Sequence, residues 1–317
     1  MLAEVVRSGF VESRHRGAVL VLGADGQPAW AAGPVTEPMF PRSANKPVQA
    51  AAMLRCGLDL DGKLLALAAA SHSGEDFHVA GVREILGRAG LPESALQCPP
   101  ALPMDEVSQR EILSRGGGPD RVHMNCSGKH AAMLASCVAA GWPTSGYRDP
   151  GHPLQLAIRA TIGDLAGEPV TATGVDGCGA PLFALSLTGL ARAFQAMITA
   201  PPATPERKVA DAMRAYPEWT SGTRRTERAL MSAVPGLLVK SGAEGVDGLA
   251  LADGRAIAIK IEDGAARARP PVAVAVLRRL GVATGPGVAA AALDEIASVP
   301  VIGGKEIVGW VRATLPP

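Results

Sequence analysis

The hydrophobic pattern changes period twice along the 317-residue chain, and that change narrows the architectures open to it. The first forty residues carry short β-branched runs, "AEVVRSG", "AVLVLG" and "PAWAAG", with a turn at Ala24-Asp25-Gly26. From about residue 46 to 233 the period lengthens. "KPVQAAAMLRCGL", "GKLLALAAAS", "FHVAGVREILGRAG", "GKHAAMLASCVAAGW", "HPLQLAIRATIGDLAG" and "LFALSLTGLARAFQAMI" repeat Ala and Leu every three to four residues, the spacing of one helix face. Strand patterning returns near 236 in "GLLVKSG", "GVDGLAL" and "RAIAIKIED"; the helix "PVAVAVLRRLG" and the strand "KEIVGWVRATL" follow. Strands at both ends around a helical middle predict an α+β fold: one antiparallel sheet built from both chain ends, with a helical lobe inserted. The expected boundaries are a single domain over 1–317, its sheet lobe at about 1–40 and 236–317 and its helical lobe at about 41–235. The Pro- and Ala-rich stretch 200–205 reads as a loop between helices.

A hydrophobic fraction of 47% with mixed charges is that of an ordinary folded core. Lys+Arg at 31 against Asp+Glu at 30, with 3% aromatics, gives neither the basic surface nor the stacking residues of a nucleic-acid or anionic-membrane binder. The start, "MLAEVVRSGFVESRHRG", lacks the basic-then-apolar layout of a signal peptide, and no apolar run is long enough to span a bilayer; a cytoplasmic location is expected. The 5 cysteines are an odd number without framework spacing, which fits reduced thiols. Cys56 and Cys137 lie in apolar helical runs and read as core, whereas Cys126 and Cys178 sit beside glycines in loops.

Five short stretches carry chemistry. In "FPRSANKPVQAAAM" (40–53), Ser43 and Lys46 stand at i and i+3 before an apolar run, with no acid nearby to pair the lysine. Ser43 reads either as a helix cap, with Pro47 tolerated in the first turn, or as a nucleophile whose proton a desolvated lysine accepts. "AASHSGED" (69–76) places Ser71 and Ser73 around His72, and "VKSGAEG" (239–245) ends an apolar strand at Lys240, followed by Ser241-Gly242. "MNCSGKHAAM" (124–133) opens a helix with Cys126 and Lys129 at i and i+3, and "GVDGCGAP" (174–181) holds Asp176 and Cys178 between glycines. Glycine at this density implies unusual backbone angles or close approach. Two cysteines alone do not make a zinc site, the usual four-ligand patterns are absent, and a lysine binds metal only as the neutral amine, so spacing leaves the thiols' role open. The order S-x-x-K, S-x-S, K-S-G matches that of serine β-lactamases and penicillin-binding proteins, whose three motifs meet in one cleft, and this order favours the catalytic reading of Ser43.

"RSANKP", "ASHSGE", "NCSGKHAAML", "GVDGCGAP" and "KSGAEG" together resemble the asparaginase II family, the Rhizobium-type or class 3 L-asparaginases, over nearly the whole chain. The resemblance implies a β-lactamase-like fold, hydrolysis of L-asparagine to L-aspartate and ammonia, and a homodimer. It implies two Ser-Lys pairs, Ser43 with Lys46 and a serine of the SHS motif with Lys240; Ser71 is placed there on the β-lactamase order, with Ser73 as the alternative. It further implies a zinc ion on Cys126, Lys129 and Cys178, assisting substrate binding, and active-site positions at Arg42 and Asp176. In this reading Ser43 attacks, neutral Lys46 takes its proton, Lys240 lowers the pKa of Lys46 by like-charge repulsion, and Asp176 meets the substrate's α-ammonium group. The rivals are a glutaminase or β-lactam hydrolase on the same fold, and a non-catalytic amino-acid or metal sensor.

Overall fold

A computed structural model describes residues 1–317. Its strands are β1 (Ala3–Arg7), β2 (Phe10–His15), β3 (Gly17–Leu22), β4 (Pro28–Ala32), the short β5 (Pro38–Met39), β6 (Thr173–Val175), β7 (Pro181–Phe183) and β8 (Leu185–Ser186), then β9 (Leu238–Gly242), β10 (Val246–Ala250), β11 (Ala256–Ile261), β12 (Val299–Gly303) and β13 (Glu306–Ala313). The central helices are α1 (Lys46–Arg55), α2 (Gly62–Ala68), α3 (Asp76–Arg88), α4 (Glu106–Ser114), α5 (Ser127–Ala139), α6 (Pro153–Ala166), α7 (Leu187–Thr199), α8 (Pro205–Ala215), α9 (Pro217–Thr220) and α10 (Thr226–Ala233); α11 (Arg269–Arg279) and α12 (Ala290–Ala297) follow β11. The fold is α+β, with a helical lobe between strands drawn from both ends of the chain, and every strand pairing is antiparallel. No helix is long and apolar enough to cross a membrane.

The expectation of one sheet closed by the two ends is corrected. The terminal strands form two sheets, a four-stranded one in the order β12-β13-β1-β2 and a five-stranded one in the order β4-β3-β11-β10-β9. The chain changes sheet at Arg16-Gly17. Leu2 N–H donates to His15 O (2.9 Å) on one side of this corner, and Glu262 N–H donates to Arg16 O (2.9 Å) on the other. A Cβ on Gly17 would overlap Lys260 O and stand 2.9 Å from Leu2 Cδ1, so glycine lets the strand cross here.

The five-stranded sheet is covered on both faces. Leu20, Leu22 and Ala258 point into the core shared with the helical lobe, while Val19, Val21, Ile257 and Ile259 point into a second core with Leu2, Val5, Val272 and Val311. Alternation along each strand feeds two apolar cores, which explains why "GAVLVL" and "AIAIKI" are apolar throughout. In the helical lobe, α1 is buried from Lys46 to Met53. Its Ala50-Ala51-Ala52 run lets neighbouring helices close in. The start of α5 packs tightly on α2: a Cβ on Gly128 would stand 2.6 Å from Leu67 O. That approach sets Cys126 and Lys129 against the chain leaving α2, which runs directly into Ser71.

Candidate active site

Strand β5 leads into Pro41 and a single 3-10 turn, Arg42–Asn45, that continues into α1 with Pro47 in its first turn. Ser43 lies in this turn, half-buried, and caps neither helical segment with its side chain. Arg42, just before it, has φ +52°, a left-handed conformation that disfavours an L side chain by about 1–2 kcal/mol. The hydrogen bond from Arg42 Nε to Asp176 Oδ1 (2.8 Å) helps to offset it. Strand β9 packs directly on the turn. A Cβ on Gly242 would overlap Pro41 O and stand 2.9 Å from Ala44 N and 3.2 Å from Ser43 N, so the glycine of the K-S-G stretch lets the strand reach the Ser43 backbone.

Both lysines converge on one serine. Lys46 Nζ donates to Ser71 Oγ (2.9 Å), Ala70 O (2.7 Å) and Cys126 Sγ (3.1 Å), and Lys240 Nζ donates to Ser71 Oγ (2.9 Å) and Ser241 O (2.6 Å). Lys46 and Lys240 are each 1% exposed and Ser71 6%. The expected Ser43–Lys46 hydrogen bond is not formed. A lysine amine has three hydrogens, and those of Lys46 go to acceptors on the α2–α3 connection and at the start of α5. Ser73 is occupied elsewhere, donating to Ser221 O (2.9 Å). His72 turns away from the lysines: it accepts Gly74 N–H at Nδ1 (3.1 Å), so Nε2 carries the proton and meets Ser127 Oγ (2.8 Å).

The pKa of Lys240 falls. Burial lowers it most, the Lys46 charge lowers it further, and buried Glu227 partly restores it, leaving it at about 7. Glu227, on α10, is 3% exposed; Arg225, Lys240 and Arg269 overcome its own burial and hold it at about 2. Asp247 and Arg269 form a second buried ion pair nearby (2.6 Å).

A thiol pair adjoins this cluster. Cys126 Sγ donates to Asn125 Oδ1 (3.1 Å), and Lys129 Nζ donates to Cys178 Sγ (3.2 Å). The neighbouring Cys126 thiol and the Lys129 charge hold Cys178 well below the ordinary thiol range, while the neighbouring Cys178 and burial push Cys126 up. Burial works to lower the Lys129 pKa, but Cys178, Cys126 and Asp176 outweigh it and raise it. Cys178 rides on the turn joining β6 to β7, where Asp176 N–H donates to Ala180 O (2.9 Å) and Gly179 has φ +82°. Behind the thiols, Tyr147 OH accepts Gln97 N–H (3.1 Å) and is hydrogen-bonded to His130 Nδ1 (2.7 Å).

No cluster of three or more His, Cys, Asp or Glu side chains is placed to hold a metal, so an ion here would depend on Lys129. With Lys129 as the neutral amine, the donor set is one that a zinc ion takes. Two sulfurs and a nitrogen converge, and a tetrahedral zinc with ordinary bond lengths sets N and S about 3.5 Å apart, close to the 3.2 Å between Lys129 Nζ and Cys178 Sγ. Arg42 also lines a cavity of about 390 Å³ with Phe40, Val175, Glu244 and Lys260. Nothing in the residue pattern singles out Glu227, His130, Tyr147 or Glu244. His130 and Glu244 stand inside quoted motifs, but their types and spacing carry no signal, and Glu227 lies in no motif.

The chain matches a family of hydrolases along nearly its whole length. Residues 3–313 match the family described as L-asparaginase II, and the chain belongs to that family. Among solved structures it is similar to Mglu in its native form (16% identity, TM-score 0.45, covering 88% of this chain and 67% of that one). It is also similar to a β-lactamase from Mycobacterium bovis (15%, TM-score 0.45, covering 83% and 94%) and to a hydrolase with promiscuous acyltransferase activity (11%, TM-score 0.42, covering 90% and 94%). The chain spans 60% of the length of Mglu in its high-salt form. Comparison with curated proteins returns no significant match.

Proposed function

We propose that the protein is an L-asparaginase that hydrolyses L-asparagine to L-aspartate and ammonia through an acyl-enzyme on Ser43. The observation that supports it is the meeting of Lys46 and Lys240 on Ser71 Oγ, beside the strained turn that carries Ser43, in a chain of the L-asparaginase II family. Ser43 Oγ attacks the side-chain amide carbon while its proton passes to Ser71, whose own proton moves to Lys240. Lys240 is the base in this scheme because its pKa of about 7 lets it be neutral at working pH. Lys46 holds Ser71 in place and contributes positive charge. On collapse of the tetrahedral intermediate, Lys240 returns its proton through Ser71 to the departing ammonia; water then attacks the acyl carbon by the same relay, releasing aspartate and restoring Ser43. Backbone N–H groups at the Ser43 turn would hold the oxyanion, a placement worth about 3–4 kcal/mol in other hydrolases.

Cys126, Cys178 and Lys129 would hold a zinc ion, which supplies a fixed positive charge that draws and orients the substrate. Asp176, fixed by Arg42, closes the same end of the site. The test is ammonia release from L-asparagine and L-glutamine, run beside nitrocefin hydrolysis. Ammonia from asparagine well in excess of that from glutamine, with nitrocefin intact, supports the proposal. Preference for glutamine or nitrocefin moves the activity to that substrate, and binding without turnover makes the protein a sensor.

A further inference from the structure

We propose that Glu244 recognises the α-ammonium group of the amino-acid substrate and so sets the enzyme's preference for an α-amino acid over a plain amide. The inference rests on the asparaginase reading and names a specificity residue for it. Its basis is a mismatch between a residue and its backbone. The turn from β9 to β10 runs through Ala243, Glu244 and Gly245, with Glu244 at φ +60° and Gly245 at φ +69°. Two successive left-handed residues in a hairpin favour Asn-Gly, Asp-Gly or Gly-Gly. Glutamate gains none of the local hydrogen bonding that lets Asn or Asp tolerate this conformation. Strain of this sort persists where the side chain has a use.

The side chain points to that use. Glu244 Oε1 is ion-paired with Arg42 Nη1 at 3.7 Å, beyond hydrogen-bond range, and the side chain is 63% exposed, so its carboxylate keeps its hydrogen-bond acceptors open. Asp176 already takes the one hydrogen bond that the Arg42 guanidinium makes within the protein. The other cation at hand, Lys260, is committed to the backbone carbonyls of Glu244 and Ile261. Glu244 therefore offers free acceptors on the wall of the 390 Å³ cavity, three residues past Ser241 and two past the glycine that touches the Ser43 turn. A shorter Asp or Asn in this turn would satisfy the backbone and fail to reach Arg42. An ammonium group placed between Glu244 and Asp176 would be held by both, leaving the rest of the guanidinium to a carboxylate. Those are the two groups every α-amino acid carries.

The experiment compares L-asparagine with succinamate, the same amide without its amino group, on wild type, Glu244→Asn and Glu244→Gln. The preference for asparagine, as the ratio of the two kcat/KM values, should fall about 10–100-fold in both variants, the range for losing a hydrogen bond to a charged group. The fall should appear in KM for asparagine. Glu244→Asn should also raise Tm by a few degrees, because Asn tolerates the left-handed region; that shift excludes misfolding as the cause. Equal losses on both substrates, or an unchanged ratio, would overturn the inference while leaving the asparaginase reading intact. A wild type that releases ammonia from neither amide would overturn both.

Discussion

Lys46 Nζ and Lys240 Nζ each stand 2.9 Å from Ser71 Oγ, so one hydroxyl serves two buried amines. When Lys240 is neutral it accepts the Ser71 hydrogen, which leaves one Ser71 lone pair for Lys46 and the other for the Ser43 proton, as a relay requires. Ser71→Ala should therefore lower kcat by about 10²–10⁴ with KM changed far less. Ser43→Ala should lose more and should form no covalent adduct with substrate by mass spectrometry. Ordinary turnover in Ser43→Ala would remove it as the nucleophile.

Activity should rise with pH through about 7, because Lys240 is charged below that value and neutral above it. A rate flat from pH 6 to 10 would remove Lys240 as base. The same shift bears on stability. Between about 7 and the ordinary 10.5, the unfolded chain holds a proton on this lysine that the folded chain has released, so its contribution to stability grows as pH rises across that window. Lys240→Met should gain stability over wild type most clearly below pH 7, as read from denaturation midpoints.

Glu227→Gln should shift the acid limb of the rate profile to lower pH, since Glu227 supports the charged form of Lys240. It should also lower stability, by about 1–3 kcal/mol, because Arg225 loses its buried partner while Arg269 keeps Asp247. Combining a pH–rate profile with urea titration separates the two effects.

Metal content should be near one zinc per chain by mass spectrometry and should drop in Cys178→Ser. Both thiolates and a neutral Lys129 are needed for binding, so the metal should be released as pH falls. Chelation should raise KM for asparagine more than it lowers kcat. A chelated enzyme with unchanged KM would leave the thiols without a part in substrate binding.

Much of this was legible from residue patterns. "KPVQAAAMLRC" and "GKHAAMLASCVAA" became α1 and α5 within a few residues, since Ala-rich faces at helical spacing admit few alternatives. β12 was missed because Pro300 interrupts its pattern, as edge strands permit. β2 was missed because its Glu12 and Arg14 lie on an outward face. In the site, motif order pointed to Ser43, Lys46 and Lys240, but not to the partner of Lys46. A lysine reaches several ångströms from its own turn, and Ala70, Ser71 and Cys126 are contributed by segments that meet it only after folding.

The pairing of β1 with β13, from Ala3 opposite Ala313 to Arg7 opposite Gly309, fixes an order of events during synthesis. β1 emerges first and has no partner on that side until roughly three hundred more residues have been made, about 15–60 s at ordinary elongation rates. Until then the β1-β2 hairpin lacks its third strand, and its packing partners Ile257, Ile259 and Val272 also come only late in the chain. The helical lobe, with its nearer-neighbour contacts, has that interval to condense first. A nascent chain arrested just before residue 306 should thus carry a protease-sensitive N-terminal hairpin on an already protected helical body.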